Sequence, residues 1–144
     1  MHLLLAADHA GFALKETLKT WLQRQGHTFE DFGTHTPEAV DYPDMVHPLA
    51  HRLELQTGKA LGLLVCGSGQ GVCMTANKYS HIRAALAWNA EVASLSRAHN
   101  NANVLCLPGR FVTEAEAIAA LEAFLQTPFE GGRHERRVVK IAQG

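Results

Sequence analysis

The run Ala60-Leu61-Gly62-Leu63-Leu64-Val65 has no polar side chain and no apolar-polar alternation. Such a run suits a strand buried on both faces, and strands of that kind belong to parallel sheets covered by helices on either side. Directly after it comes Cys66-Gly67-Ser68-Gly69-Gln70-Gly71-Val72, and then Cys73 to Lys78, which suits a helix. The glycines therefore occupy a strand-to-helix turn. Placed at alternate positions, Gly67, Gly69 and Gly71 leave little side chain in the way, so backbone N–H groups can converge on an anion where the helix dipole adds positive potential. Cys66 enters the same field. A thiol near a helix N-terminus loses its proton more readily than a free one, giving a thiolate nucleophile or base. Taken alone, the loop reads equally as a glycine-rich turn with an inert buried cysteine.

Spacing removes several familiar readings of this loop. The dinucleotide fingerprint needs its third glycine three residues after the second, whereas Gly69 and Gly71 are two apart, and no Gly-Lys-Ser/Thr closes the stretch as in a P-loop. A phosphatase-type cysteine loop would end in an arginine, and Val72 to Lys78 contains none.

Around this loop the chain alternates. Strands are predicted at Leu3–Ala7, His27–Phe32, Ala60–Val65, Ile82–Ala87 and Val104–Leu107, with helices at Gly11–Gln25, Met45–Gln56, Cys73–Lys78 and Ala90–Arg97. A further helix runs to Leu125 from a capping box of Thr113 and Glu116. This alternation predicts a three-layer α/β/α domain over residues 1–144 around a five-stranded parallel sheet. If the first crossover goes one way and the second the other, strands one and three are neighbours and the crevice at their carboxyl ends binds the ligand. Asp8 and His9, after the first strand, then lie beside Cys66 and its loop. Asp8 also suits a helix N-cap, and His9 an ordinary loop histidine.

Other polar groups are candidates of the same kind. Tyr42 ends the loop Gly33–Asp44 and can donate over the pocket or simply pack. Arg110 follows the last strand, at another carboxyl end. Arg97-Ala98-His99-Asn100-Asn101-Ala102-Asn103 is a polar cluster that also suits a helix cap and turn. In the tail Phe129–Ile141, if helical, Arg133 and Arg137 share one face and could clamp a phosphate, the plainer reading being a solvated basic end. The Gly131-Gly132 hinge lets that tail reach another subunit. His47 and His51 are four apart, yet further ligands are wanting, so they read as solvated histidines and no metal site is expected.

A net charge of −1 with sequence pI ≈ 6.7 gives no footprint for nucleic acid and leaves a small molecule as the expected partner. The apolar start, Met1 to Ala7, is too short for a signal-peptide core, and no run reaches membrane-spanning length. The expected location is the cytoplasm. Cys66, Cys73 and Cys106, odd in number and without zinc-type pairing, read as free thiols in a reducing compartment.

Ala7-Asp8-His9-Ala10-Gly11, Asp41-Tyr42-Pro43, Cys66 to Gly71, Ala76-Asn77-Lys78, Ser96 to Asn103 and Glu130-Gly131-Gly132-Arg133-His134 occur here in one order spanning nearly the whole chain. In these motifs the sequence resembles the type B ribose-5-phosphate isomerases and the related galactose-6-phosphate and allose-6-phosphate isomerases. The resemblance implies a Rossmann-like sandwich with a C-terminal helical tail, a homodimer or dimer of dimers with sites shared between subunits, and no metal or organic cofactor. It implies an aldose-ketose isomerisation through an enediolate, with Cys66 as base, the Gly67–Gly71 loop as oxyanion stabiliser and Ser68 on a sugar oxygen. By the same resemblance His99 opens the sugar ring, Asp8 handles hydroxyl protons, and His9, Arg110, Arg133 and Arg137 bind phosphate, while Asn100 and Tyr42 touch the sugar. Some members lack the loop cysteine and place a glutamate after the last loop glycine. That position is Val72 here, which leaves Cys66 as the base, with Cys73 and Cys106 read as core. A non-catalytic sugar-phosphate-binding protein and a cysteine hydrolase remain as other classes.

Overall fold

The structure, a computed structural model, describes residues 1–143. The elements follow one another as β1 (His2–Ala7), α1 (Phe12–Arg24), β2 (Thr28–Asp31), α2 (Tyr42–Leu55), β3 (Ala60–Cys66), α3 (Gln70–Ala76), β4 (Ala84–Leu86), α4 (Ala90–Asn100), β5 (Val104–Pro108), α5 (Glu114–Gln126) and α6 (Arg133–Ile141). The five strands form one all-parallel sheet in the order β2-β1-β3-β5-β4.

Both faces of the sheet are covered, as the unbroken apolar run in β3 requires. On one side Leu3, Leu5, Leu63, Val65, Leu105 and Leu107 pack against Leu14, Leu18 and Leu22 of α1, Ala93 of α4 and Leu121 and Phe124 of α5. On the other side Leu4, Ala6, Leu64, Val104 and Cys106 meet Val46, Leu49 and Leu53 of α2 and Val72 and Ala76 of α3. Residues of alternating parity thus serve the two layers, the period of a strand. α6 packs on α4 outside this sandwich.

The edge strand β2 is tied down by charge as well as by its ladder. Lys15 of α1 is fully buried, and its Nζ donates to both carboxylate oxygens of Asp31 at 2.7 and 2.6 Å. Lys19 and Glu16 complete the network, which together with the Gly33 N–H holds the Asp31 carboxyl below its ordinary value against the opposing effect of burial.

Two helices begin earlier than their apolar pattern predicts. α2 starts at Tyr42, because Pro43 is favourable in a first turn where its missing N–H costs no bond. α3 starts at Gln70 rather than Cys73, with Gly69 at its N-cap in the left-handed region at φ 74°. α4 runs on to Asn100 and stops where Asn101 turns left-handed at φ 47°. The Thr113/Glu116 capping box of α5 is present as read.

Candidate active site

The first crossover carries the chain from β1 to one side and the second to the other, so β1 lies beside β3 in register, Ala7 opposite Val65. The next residues out are Asp8 and Cys66. The two chains approach so closely that a Cβ on Gly11 would lie 2.4 Å from the Val65 carbonyl oxygen, so only glycine fits there. The buried Asp8 accepts the Gly11 N–H through Oδ1 at 3.0 Å, which makes it the turn-capping residue at the carboxyl end of β1. His9 is exposed, and its Nδ1 accepts the Val40 N–H at 3.3 Å.

Cys66 is the last residue of β3, and its Sγ accepts the Gly69 N–H at 3.1 Å. Ser68 Oγ accepts from the Gln70 N–H at 3.3 Å. The strand β5, on the far side of β3, closes the loop from beneath: the Gly109 N–H donates to the Cys66 carbonyl at 2.8 Å and the Arg110 N–H to the Gly67 carbonyl at 3.0 Å. The Arg110 side chain folds back over the loop, where a Cβ on Gly67 would be 3.3 Å from Nη1. Tyr42 covers the other side, 2.6 Å from where a Cβ on Gly71 would stand. Asp8, His9, Tyr42, Cys66, the glycine loop with Ser68, and Arg110 are therefore gathered at the carboxyl edge of the sheet.

His99, Asn100, Arg133 and Arg137 are not. α4 runs antiparallel to the strands and delivers His99 and Asn100 to the amino edge, just before β5 begins. Eleven residues of helix at about 1.5 Å each separate that end from the carboxyl edge by roughly 16 Å. At the amino edge His99 stacks on His134 with ring centroids 4.3 Å apart, and the Glu130 N–H donates to the Ala98 carbonyl at 3.0 Å. Glu130 Oε2 lies 3.6 Å from His134 Nε2 and 3.9 Å from His99 Nε2. Desolvation, then the charges of His99, Arg133 and Arg137, pull His134 below its ordinary value. His134 and Glu130 stand in the sequence motif without a role. The stacking of His134 on His99 and the approach of Glu130 to both rings depend on α6 folding back onto α4, which no local pattern announces.

Of the other two cysteines, Cys106 is core as read, whereas Cys73, on α3, is only partly buried and packs against the core from outside. Cys106 is wholly buried and its thiol is pushed well up by burial, while a hydrogen bond with Cys106 holds Cys73 down. His47 and His51 are exposed and sit around Tyr79, whose hydroxyl is 2.6 Å from His47 Nδ1. No helix among the described residues is long and apolar enough to cross a membrane.

A model of the Ribose/Galactose Isomerase family matches residues 3–141. The chain belongs to that family. Among curated members it is 43% identical over 141 residues to the probable ribose-5-phosphate isomerase B of Mycoplasma genitalium, covering 97% of this chain and 93% of that one. It is 40% identical over 145 residues to the ribose-5-phosphate isomerase B of Mycobacterium tuberculosis, covering 99% and 89%. The crystal structure of the Thermotoga maritima ribose 5-phosphate isomerase superposes with a TM-score of 0.95 at 45% identity, covering 99% and 98% of the two chains. The Mycoplasma genitalium enzyme, solved with bound ribulose-5-phosphate, gives 0.95 at 43% identity over 99% and 94%.

Proposed function

We propose that this family member interconverts ribose 5-phosphate and ribulose 5-phosphate through an enediolate. The observation that carries the reading is the placement of Cys66, under a converging glycine loop and beside Asp8, in a chain 43% identical to a relative solved with the ketose product bound.

An aldose-ketose exchange needs a base to move a proton between C2 and C1 and a stabiliser for the oxyanion that forms meanwhile. Cys66 is the base in this reading. The Gly67–Gly71 loop is the oxyanion stabiliser, through the N–H groups not already given to Cys66 Sγ and Ser68 Oγ, and Ser68 holds a sugar oxygen. Asp8 passes protons among the hydroxyls. His9 and Arg110 take the phosphate from the carboxyl edge, with Tyr42 over the sugar.

Ring opening falls to His99, with Asn100 on the sugar and Arg133 and Arg137 on the phosphate. Because one chain carries these at the opposite edge, the reading requires a homodimer, alone or doubled, in which the amino edge of one subunit meets the carboxyl edge of the other. Trp88, Leu95, Phe111, Val139 and Ile141 are exposed apolar side chains that such an assembly would cover.

Turnover of ribose 5-phosphate, compared with allose 6-phosphate and galactose 6-phosphate by kcat/KM, tests the activity and its substrate. Cys66→Ala is expected to lower kcat by at least about 10²–10⁴ with substrate affinity retained. A variant with near wild-type kcat would remove Cys66 as base, and binding without turnover in the wild type would leave a sugar-phosphate-binding protein.

A further inference from the structure

A concave site lies at the amino edge of the sheet, against the starts of the strands. It is a cleft of about 510 Å³ whose charged lining is entirely basic: Lys59, Arg83 and Arg97, with His2 and His81 beside them. Leu53 and Leu61 supply apolar wall. The volume falls within the range of small-molecule sites, roughly 300–1,000 Å³.

The two arginines are held but not neutralised. Arg83 Nε donates to the Asn101 carbonyl at 2.9 Å, and Arg97 Nη1 donates to Asn101 Oδ1 at 3.3 Å and to the Ala102 carbonyl. Arg97 Nε is buried without an acceptor, and its guanidinium lies over the Phe124 ring at 5.5 Å. Among the described residues, no carboxylate comes within 4.0 Å of Arg83, Arg97 or Lys59. Neutral acceptors satisfy N–H groups but leave charge uncompensated, which is costly for half-buried cations that face one another. Burial draws both guanidinium groups below their ordinary value, and the charge of Arg83 adds to the effect on Arg97. A phosphate against the guanidinium edges open to the cleft supplies the missing negative charge.

We infer that this cleft is a binding site for a small organic phosphate, its anionic group on Arg83, Arg97 and Lys59 and its uncharged body against Leu53 and Leu61. It is distinct from the residues assigned to isomerisation. Within one chain Cys66 and the glycine loop are at the other end of the sheet, and in the shared-site dimer of the proposed function the partner's carboxyl edge meets this subunit on the His99 and His134 side of α4, away from Arg97. On α4, Arg97 and His99 are two residues apart and so project about 200° from each other, Arg97 toward Phe124 of α5 and His99 toward His134 of α6.

Isothermal titration calorimetry with adenosine monophosphate as probe and adenosine as uncharged control tests the site. The full chain is compared with Arg83→Met, Lys59→Glu and Arg137→Ala, each checked for an unchanged circular dichroism spectrum. Lys59 is exposed, so its reversal leaves the fold intact even if Arg83→Met does not. The expected result is nucleotide binding that survives Arg137→Ala, weakens about tenfold or more in Lys59→Glu, and is absent for adenosine. Binding lost in Arg137→Ala but unchanged in Lys59→Glu would assign the anion to the isomerase site and overturn the inference. Absence of binding up to roughly 10 mM probe would overturn it too.

Discussion

Mixing two inactive variants tests the shared site most directly. In Cys66→Ala the carboxyl-edge half of the machinery is lost, and in Arg137→Ala the amino-edge half. Within one chain the two edges are separated by roughly 16 Å, the length of α4, far beyond the roughly 3 Å over which a proton passes. In a hybrid dimer, then, one site combines both lesions and the other combines neither. Random exchange of equal amounts makes about half of all dimers hybrids, each with one of two sites intact, so the mixture should recover about a quarter of wild-type activity per chain. Ketose formation from ribose 5-phosphate is measured after partial denaturation and reassociation, with each variant taken through the cycle alone as control and hybrids counted by native mass spectrometry. Hybrids that form in the expected proportion yet stay at the baseline of the single variants would mean that Cys66 and Arg137 act from the same chain.

Three further outcomes follow from local contacts. Asp31→Asn leaves the fully buried Lys15 ammonium without its main counter-charge and should cost about 3–5 kcal/mol in urea unfolding, and a loss below about 1 kcal/mol would show Glu16 to be a sufficient partner. Gly71→Ala puts a Cβ 2.6 Å from the Tyr42 ring and, since that ring is partly exposed and can swing out, should lower kcat/KM by about tenfold or more with little change in Tm; unchanged kinetics would take Tyr42 out of the site. Glu30, held at about 2 against an ordinary 4.5 mainly by its hydrogen bonds from Arg52, contributes stability that is complete above that ordinary value and is lost as pH falls toward the folded one. The Tm deficit of Arg52→Gln should accordingly shrink as pH is lowered from about 6 to about 3, and a deficit independent of pH would contradict the assignment.

The parts of the fold legible in the sequence are those that a single segment decides. β1 from Leu3 onward and β3 are apolar throughout because both faces are covered, and Thr113 with Glu116 marks the start of α5 by a reciprocal cap. The start of α3 is hidden because glycine is a poor helix former, yet Gly71 belongs to its first turn, where the Tyr42 ring occupies the space a side chain would need. At the site, the pairing of Asp8 with Cys66 follows from strand order and is readable. The stacking of His134 on His99 is not, since it arises from α6 returning to α4 across the Gly131-Gly132 turn. The basic cleft is equally silent in sequence: Lys59, Arg83 and Arg97 sit on separate segments whose convergence depends on the β3-β5-β4 order.

The division of one chain between two edges has a genetic consequence under the shared-site reading. A chain damaged at one edge spoils one of the two sites in any pair it forms with an intact chain, so a cell carrying both alleles loses activity only in proportion to the damaged dose. A chain damaged at both edges spoils its own site through the carboxyl edge and its partner's through the amino edge. Every mixed pair is then silent, and the allele behaves as a dominant negative although neither lesion alone would.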